Sequence, residues 1–391
     1  MKRLLLLSVI LTFASNASAE EATVSTRDEL VQAAQNAEPG TRILIAPGTY
    51  RGGLSFNKLR GEKEKPIVLA AADPKRPPIF KGGASCFHLA DPAYIELHNL
   101  VLIEATGNAL NIDDGSSYDS PAHHVVLRGL TIRDIGLNGN HDGIKLSGVD
   151  DFRVESCTVE RWGKSGSGID MVGCHQGEIV GCTFRHKNAD AANGVQTKGG
   201  SKDILIQRCR FEDAGGRAVN VGGSTGLAYF RPKVDGYEAK DIIVEDCTFI
   251  GSMAPVCFVG VDGAVVRYNT IYRPTRWVVR ILQETQGSEF VPSRNGTFTN
   301  NLIVFRSKEV RTAVNVGAGT DPKTFKFASN HWFCVDAPNR SDRLSLPVKE
   351  AGGTYGLNPQ FEDEQKSDLR LKQTSPVRDA GVRQTSDEGR P

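Results

Sequence analysis

Four short segments place a polar side chain at the same step of one repeated pattern. They read Gly143-Ile144-Lys145-Leu146, Gly168-Ile169-Asp170-Met171, Gly194-Val195-Gln196-Thr197 and Ala218-Val219-Asn220-Val221. If Ile144, Ile169, Val195 and Val219 face inward, then Lys145, Asp170, Gln196 and Asn220 face outward in one column. Two residues on, Ser147, Val172, Lys198 and Gly222 make a second column, in which Lys198 is the one charge and has no carboxylate neighbour. The small residues Gly143, Gly168, Gly194 and Ala218 are expected to leave a shallow floor. A flat strip of amides and charges suits a long sugar chain. An ordinary solvated face would read the same way, because polar outward residues are the default on a half-buried strand.

Two neighbours bear on that choice. An insertion, Gly223 to Lys240, leaves the strand end beside Asn220 and carries Tyr229, Phe230 and Arg231. Aromatic loops over a polar strip commonly stack sugar rings, although a long loop also packs on a flank. His141-Asp142 precedes Lys145, a pair that serves structure as readily as catalysis. The chemistry this set suits is proton abstraction beside a carboxylate. Lys198 or His141 would be the base, and Lys145 or Arg217 would neutralise the developing charge. Asp170, Gln196, Asn220, Tyr229, Phe230 and Arg231 would hold the substrate. A lysine near its ordinary pKa of about 10.4 is protonated at pH 7, so clustering of Lys145, Lys198 and Arg217 is needed to lower it. Hydrolysis would need converging carboxylates, and Asp113-Asp114 is the one adjacent pair near a strand end. No phosphate-binding glycine loop, nucleophile elbow, metalloprotease motif or C-x-x-C pair occurs.

The elements that position these residues come from an internal repeat. Apolar-x-apolar-x-x-(Cys, Asn or Leu)-x-apolar recurs at Leu100, Leu130, Cys157, Cys182, Cys209, Cys247, Asn269, Asn301 and Asn330. Alternation at period two means strands with one buried face. Several short strands per repeat, without helical periodicity, describe the coils of an all-β parallel β-helix. Coils stacked about 4.8 Å apart pile like residues into ladders. The cysteines then read as a packing ladder, with disulfides between neighbouring coils as the alternative. Ser25 to Asn36, with Thr26 and Glu29 as a capping box, predicts a short helix over the open N-terminal end.

The chain has 391 residues, with 47 basic against 46 acidic, which argues against a general nucleic-acid binder. Forty-one glycines without a Gly-X-Y period exclude collagen. Lys2-Arg3, the apolar run Leu4 to Phe13 and Ala17-Ser18-Ala19 have the layout of a signal peptide over 1–19. Nothing else is apolar enough to span a membrane. The reading is therefore an exported chain, periplasmic or secreted, with one domain over 20–391, repeats over about 41–340 and a C-terminal cap over about 341–381.

DELVQAAQNAEPGTRILIAPGTY (Asp28 to Tyr50), KPIVLAA (Lys65 to Ala71) and the closing NPQF, DLRL and SPVRDAG pieces carry a resemblance. The chain resembles bacterial right-handed parallel β-helix proteins of the pectin-lyase-like group. The first two segments look most like alginate lyases and chondroitinase B, which cleave acidic polysaccharides by β-elimination. That resemblance implies a Lys base, an Arg on the neighbouring coil and a calcium held by Asn and Glu. Lys198 falls at the Lys position, Arg217 lies near the expected Arg, and Asn193 stands where a Glu is expected. The residues themselves show no metal motif, so calcium is a cofactor by resemblance only. The expectation is an exported monomer acting on an acidic polysaccharide as a uronate lyase, with neither nucleic acid nor membrane as partner. A non-catalytic glycan- or surface-protein-binding β-helix and a C5 epimerase stand as alternatives.

Overall fold

The computed structural model describes residues 21–187 and 189–383; the expected signal segment lies outside them. Period-two alternation becomes strand with alternate burial, as in Ala93–His98, where Ala93, Ile95 and Leu97 are buried and their neighbours are not. Turns join these strands into coils, and most coils give one strand to each of three parallel sheets of a right-handed solenoid. The first sheet runs over twelve strands, from Glu21–Val24 to Lys326–Ala328. The second also has twelve, from Thr49–Arg51 to Thr354–Tyr355. The third has ten, from Leu54–Asn57 to Val314–Val316, and carries the candidate site.

Like residues stack inside. The Phe184, Phe211 and Phe249 rings are 4.9 and 4.8 Å apart and within 12° of parallel, which is the rung spacing itself. At one corner Cys157, Cys182, Cys209 and Cys247 give way to Asn269, Asn301 and Asn330. There Asn269 Nδ2 donates to Asn301 Oδ1 and Asn301 Nδ2 to Asn330 Oδ1, both at 3.0 Å. All eight cysteines are buried and free, so the corner is a packing ladder and not a disulfide framework.

The N-terminal helix spans Arg27–Gln35. Thr26 Oγ1 accepts from Glu29 N at 3.2 Å, and the Glu29 carboxylate accepts from Thr26 N at 3.1 Å. Leu30 and Ala34 close the end of the core. Glu21–Val24 adds a rung ahead of the helix by pairing with Arg42–Ile45, which four residues of mixed polarity did not predict. At the other end Leu344, Leu346 and Val348 pack against the main core. The antiparallel pair Phe361–Asp363 and Asp368–Leu371 clusters with Leu302, Val304 and Phe333 on the flank of the second sheet.

Candidate functional site

On the third sheet Lys145, Asp170, Gln196 and Asn220 are register partners on successive strands, and Ser147, Val172 and Lys198 form the second column. The first column extends upstream through Asn111 to His88.

The small residues do not make its floor. A Cβ on Gly168 would lie 2.9 Å from the Phe184 ring, and one on Gly194 would lie 3.1 Å from Phe211. These glycines face the core and leave room for the inner aromatic ladder. Two consecutive inward residues therefore stand at the start of these strands, and in four coils the residue before them turns outward. It meets the column three positions on: Asn108 Nδ2 donates to Asn111 at 2.9 Å, Asn193 to Gln196 at 3.3 Å, and Arg217 to Asn220 at 3.3 Å.

In the Lys145 coil that partner is Asp142. Lys145 Nζ lies 4.0 Å from Asp142 Oδ2 and donates to Asp170 Oδ2. Lys198 Nζ approaches the other oxygen, Asp170 Oδ1, at 3.4 Å. Both carboxylates are 4% exposed. Burial, then the Asp170 charge, pushes the Asp142 carboxyl up to about 7 against the opposing pull of Lys145. Burial is the largest influence on Lys145 and pulls its pKa down. Asp170 and Asp142 outweigh it and leave Lys145 above its ordinary value.

Several expectations are corrected. Lys198 does have a carboxylate partner, Asp170. The lysines do not cluster with Arg217, which pairs in register with Asn193 at the far end of the strand that ends in Lys198. Arg217 instead engages Glu284 at 2.6 Å, so the three cations do not gather in one place. The His141 ring packs against Gly136 and Gly139, and Asp142 takes the place beside Lys145. Phe230 is 1% exposed and packs on Phe290, 5.5 Å between centroids, so it cannot stack a sugar. Arg231 is buried against Asp114 at 2.5 Å. Gln196 and Asn220 are buried beneath their neighbours.

What remains open is a groove of about 790 Å³ along the solenoid axis. His88, Asp113, Tyr118, Lys145, Lys198 and Tyr229 line it, and Tyr229 is 61% exposed on its rim. His88 Nε2 meets Asp113 Oδ2 at 2.7 Å. This pair was missed, although Phe87-His88-Leu89 carries the same alternation two coils upstream of Lys145. Among the described residues no group of three or more His, Cys, Asp or Glu could hold a metal. Asn193 hydrogen-bonds Ser167 and Gln196, a neutral set, whereas calcium sites draw on carboxylate oxygens; these residues do not fit it.

A family model described as a right handed beta helix region matches residues 108–231. No curated protein sequence matches the chain. Among solved structures, the pectate lyase Pel9A aligns at a TM-score of 0.58 and 15% identity, over 95% of this chain and 93% of that one. An alginate lyase from Paenibacillus sp. str. FPU-7 aligns at 0.50 and 17%, over 76% and 97%. A rhamnogalacturonan lyase aligns at 0.50 and 13%, over 94% and 97%. At these identities the likeness is one of fold.

Proposed function

We propose that this right-handed parallel β-helix cleaves a uronic-acid polysaccharide by β-elimination outside the cytoplasm. The observation that carries this reading is the convergence of Lys145 and Lys198 on Asp170, from different rungs, in the floor of an elongated groove. Tyr229 stands exposed at its side, and Tyr118 lines it with the Arg231 guanidinium over its ring. The solved structures of similar fold include lyases of pectate, alginate and rhamnogalacturonan, which supports the polymer class.

The two lysines divide the work. Lys145, held between two carboxylates, stays charged and neutralises the uronate carboxylate as enolate charge develops. Lys198 is held more loosely, at 3.4 Å, with 17% of its side chain exposed toward the groove. It is the group placed to act as the base. As the free amine it takes the C5 proton, the C4–O4 electron pair leaves on O4 as the C4=C5 double bond forms, and O4 is protonated by water.

The test is incubation of the purified chain with pectate, alginate and chondroitin, followed by absorbance of the unsaturated product. Lys198→Ala is expected to abolish product while polymer binding stays within about tenfold, as for a group acting in the transition state. No product from any polymer removes the elimination reading. The Lys198–Asp170 ion pair favours one second reading, a groove that binds acidic glycan without cleaving it; binding without product supports that alternative.

A further inference from the structure

The outward column through Lys145 and Asp170 continues beyond Asn220 to Cys257 and Arg280. Arg280 is four rungs past Asp170, about 19 Å at the rung spacing. Three arginines gather there around one tryptophan. The Arg276 and Arg280 guanidinium carbons lie 4.1 and 4.4 Å from the Trp277 ring centroid. Arg217 pairs in register with Ala254, which packs in the same small apolar cluster as Trp277. Trp277 is half-buried against Ala254, Cys257, Val259 and Leu282, so its ring is fixed from behind.

The charges in this cluster do not balance. Glu284 is engaged by Arg217 at 2.6 Å. Arg280 Nε donates to Asn315 Oδ1 at 3.0 Å, a neutral acceptor. Among the described residues no carboxylate pairs with Arg276 or Arg280. Cys257, on the rung before Arg280, is no counter-ion, because burial pushes its thiol up to about 12. Burial also holds the Arg280 guanidinium below its ordinary value; Arg217 and Arg276 add to the effect, and Glu284, which does not pair with Arg280, opposes it without outweighing it. A half-buried guanidinium stripped of part of its hydration and given no anion is unfavourable on its own. An oxyanion arriving from solvent would offset that cost, and two planar guanidiniums suit a carboxylate or sulfate.

We propose that Arg276, Arg280 and Trp277 form a second saccharide subsite that takes the carboxylate or sulfate of an anionic sugar, on the same face as the groove and four rungs along it. The ligand class rests on the polysaccharide reading above. The place and the charge requirement do not. Because both sites lie on one outward column, an extended chain along the solenoid axis meets both. Affinity should then rise steeply once an oligomer is long enough to bridge them.

Tryptophan emission reads the subsite directly, since Trp162 and Trp332 are fully buried and Trp277 is not. The full chain is titrated with oligogalacturonates of increasing length, sulfated chondroitin oligosaccharides and neutral cello-oligosaccharides. A saturable emission change is expected with an anionic series and none with the neutral one. A response to oligogalacturonates alone assigns a carboxylate ligand, and one to the sulfated series alone assigns a sulfate. R276Q/R280Q should weaken the anionic response at least tenfold while cleavage of short oligomers is unchanged. Arg276→Gln alone, at an exposed position, provides the same test if the double variant does not fold. No saturable change with either anionic series, or a change untouched by the substitutions, overturns the subsite. Emission response without product in wild type removes elimination and leaves the subsite standing. Product without emission response does the reverse.

Discussion

Arg231 closes on Asp114 at 2.5 Å across 117 positions of the chain, and so ties the Gly223–Lys240 insertion to a coil four rungs upstream. On the way it crosses Gly148 and Gly173, its backbone N–H donates to Gly199 O at 3.2 Å, and its guanidinium lies 4.1 Å over the Tyr118 ring. Glu238, fully buried, fastens the other end by accepting from Gly199 N, Thr225 N and Thr225 Oγ1. The insertion is therefore a fixed wall of the groove. Tyr229 owes its place on the rim to these anchors.

Asp114→Ala should detach that wall. It leaves a buried guanidinium unpaired, a loss in the range of about 3–5 kcal/mol. The strand ladders do not depend on it, so the damage is expected to be local. Limited proteolysis should cut between Gly223 and Lys240 in the variant and not in wild type, while circular dichroism still reports a folded solenoid. An insertion that resists protease in the variant would show that Arg231 is not its anchor.

Gly173→Ala tests the same wall from beneath. Gly173 has φ +57°, and a Cβ there would lie 2.3 Å from Arg231 Cβ. Gly181 has nearly the same backbone, φ +62°, with nothing within 4 Å. Gly181→Ala should carry only the left-handed penalty of about 1–2 kcal/mol. Gly173→Ala should lose clearly more and should also weaken oligosaccharide binding. Equal losses in the two variants, measured by denaturant unfolding, would remove the Arg231 contact from the explanation.

Much of this could be read from residue order, because inner ladders force like residues to recur once per coil. The alternation at Lys145, Asp170 and Gln196 identified a real column, and the capping box at Thr26 and Glu29 a real helix. Alternation could not show that Gly143 and Ile144 both face inward, so Asp142 was passed over in favour of His141. Nor does local pattern say where an insertion lands. Phe230 and Arg231 looked like groove residues because the coils they dock on are distant in sequence.

Lys145 and Lys198 should separate in stability as well as in chemistry. Lys145→Ala leaves Asp142 and Asp170 buried with their shared cation gone, a loss of about 3–5 kcal/mol. Lys198→Ala leaves Asp170 still bonded to Lys145, so about 1–2 kcal/mol is expected. That is more than a lysine without a carboxylate partner would lose. Urea unfolding of both variants at pH 7 decides it, and a larger loss at Lys198 would overturn the ordering.

Asp142 makes the last prediction, in pH. Its folded carboxyl lies at about 7, above the ordinary carboxylate value that the unfolded chain keeps. Between about pH 4 and 7 the folded chain therefore holds a proton that the unfolded chain does not. The contribution of this group to stability must fall as pH rises through that window and stay level above it, by up to about 4 kcal/mol. His186 works in the opposite direction. Burial lowers its folded pKa to about 4, so acidification below its ordinary value destabilises the fold. The difference between wild type and Asp142→Asn isolates Asp142 from that background, because the asparagine oxygen can still accept from Ser167 N as Asp142 Oδ1 does at 2.7 Å. The variant should be the more stable protein at pH 8, with the gap closing as pH falls toward 4. A gap that widens on acidification would mean that Asp142 is charged in the folded chain throughout, held there by Lys145.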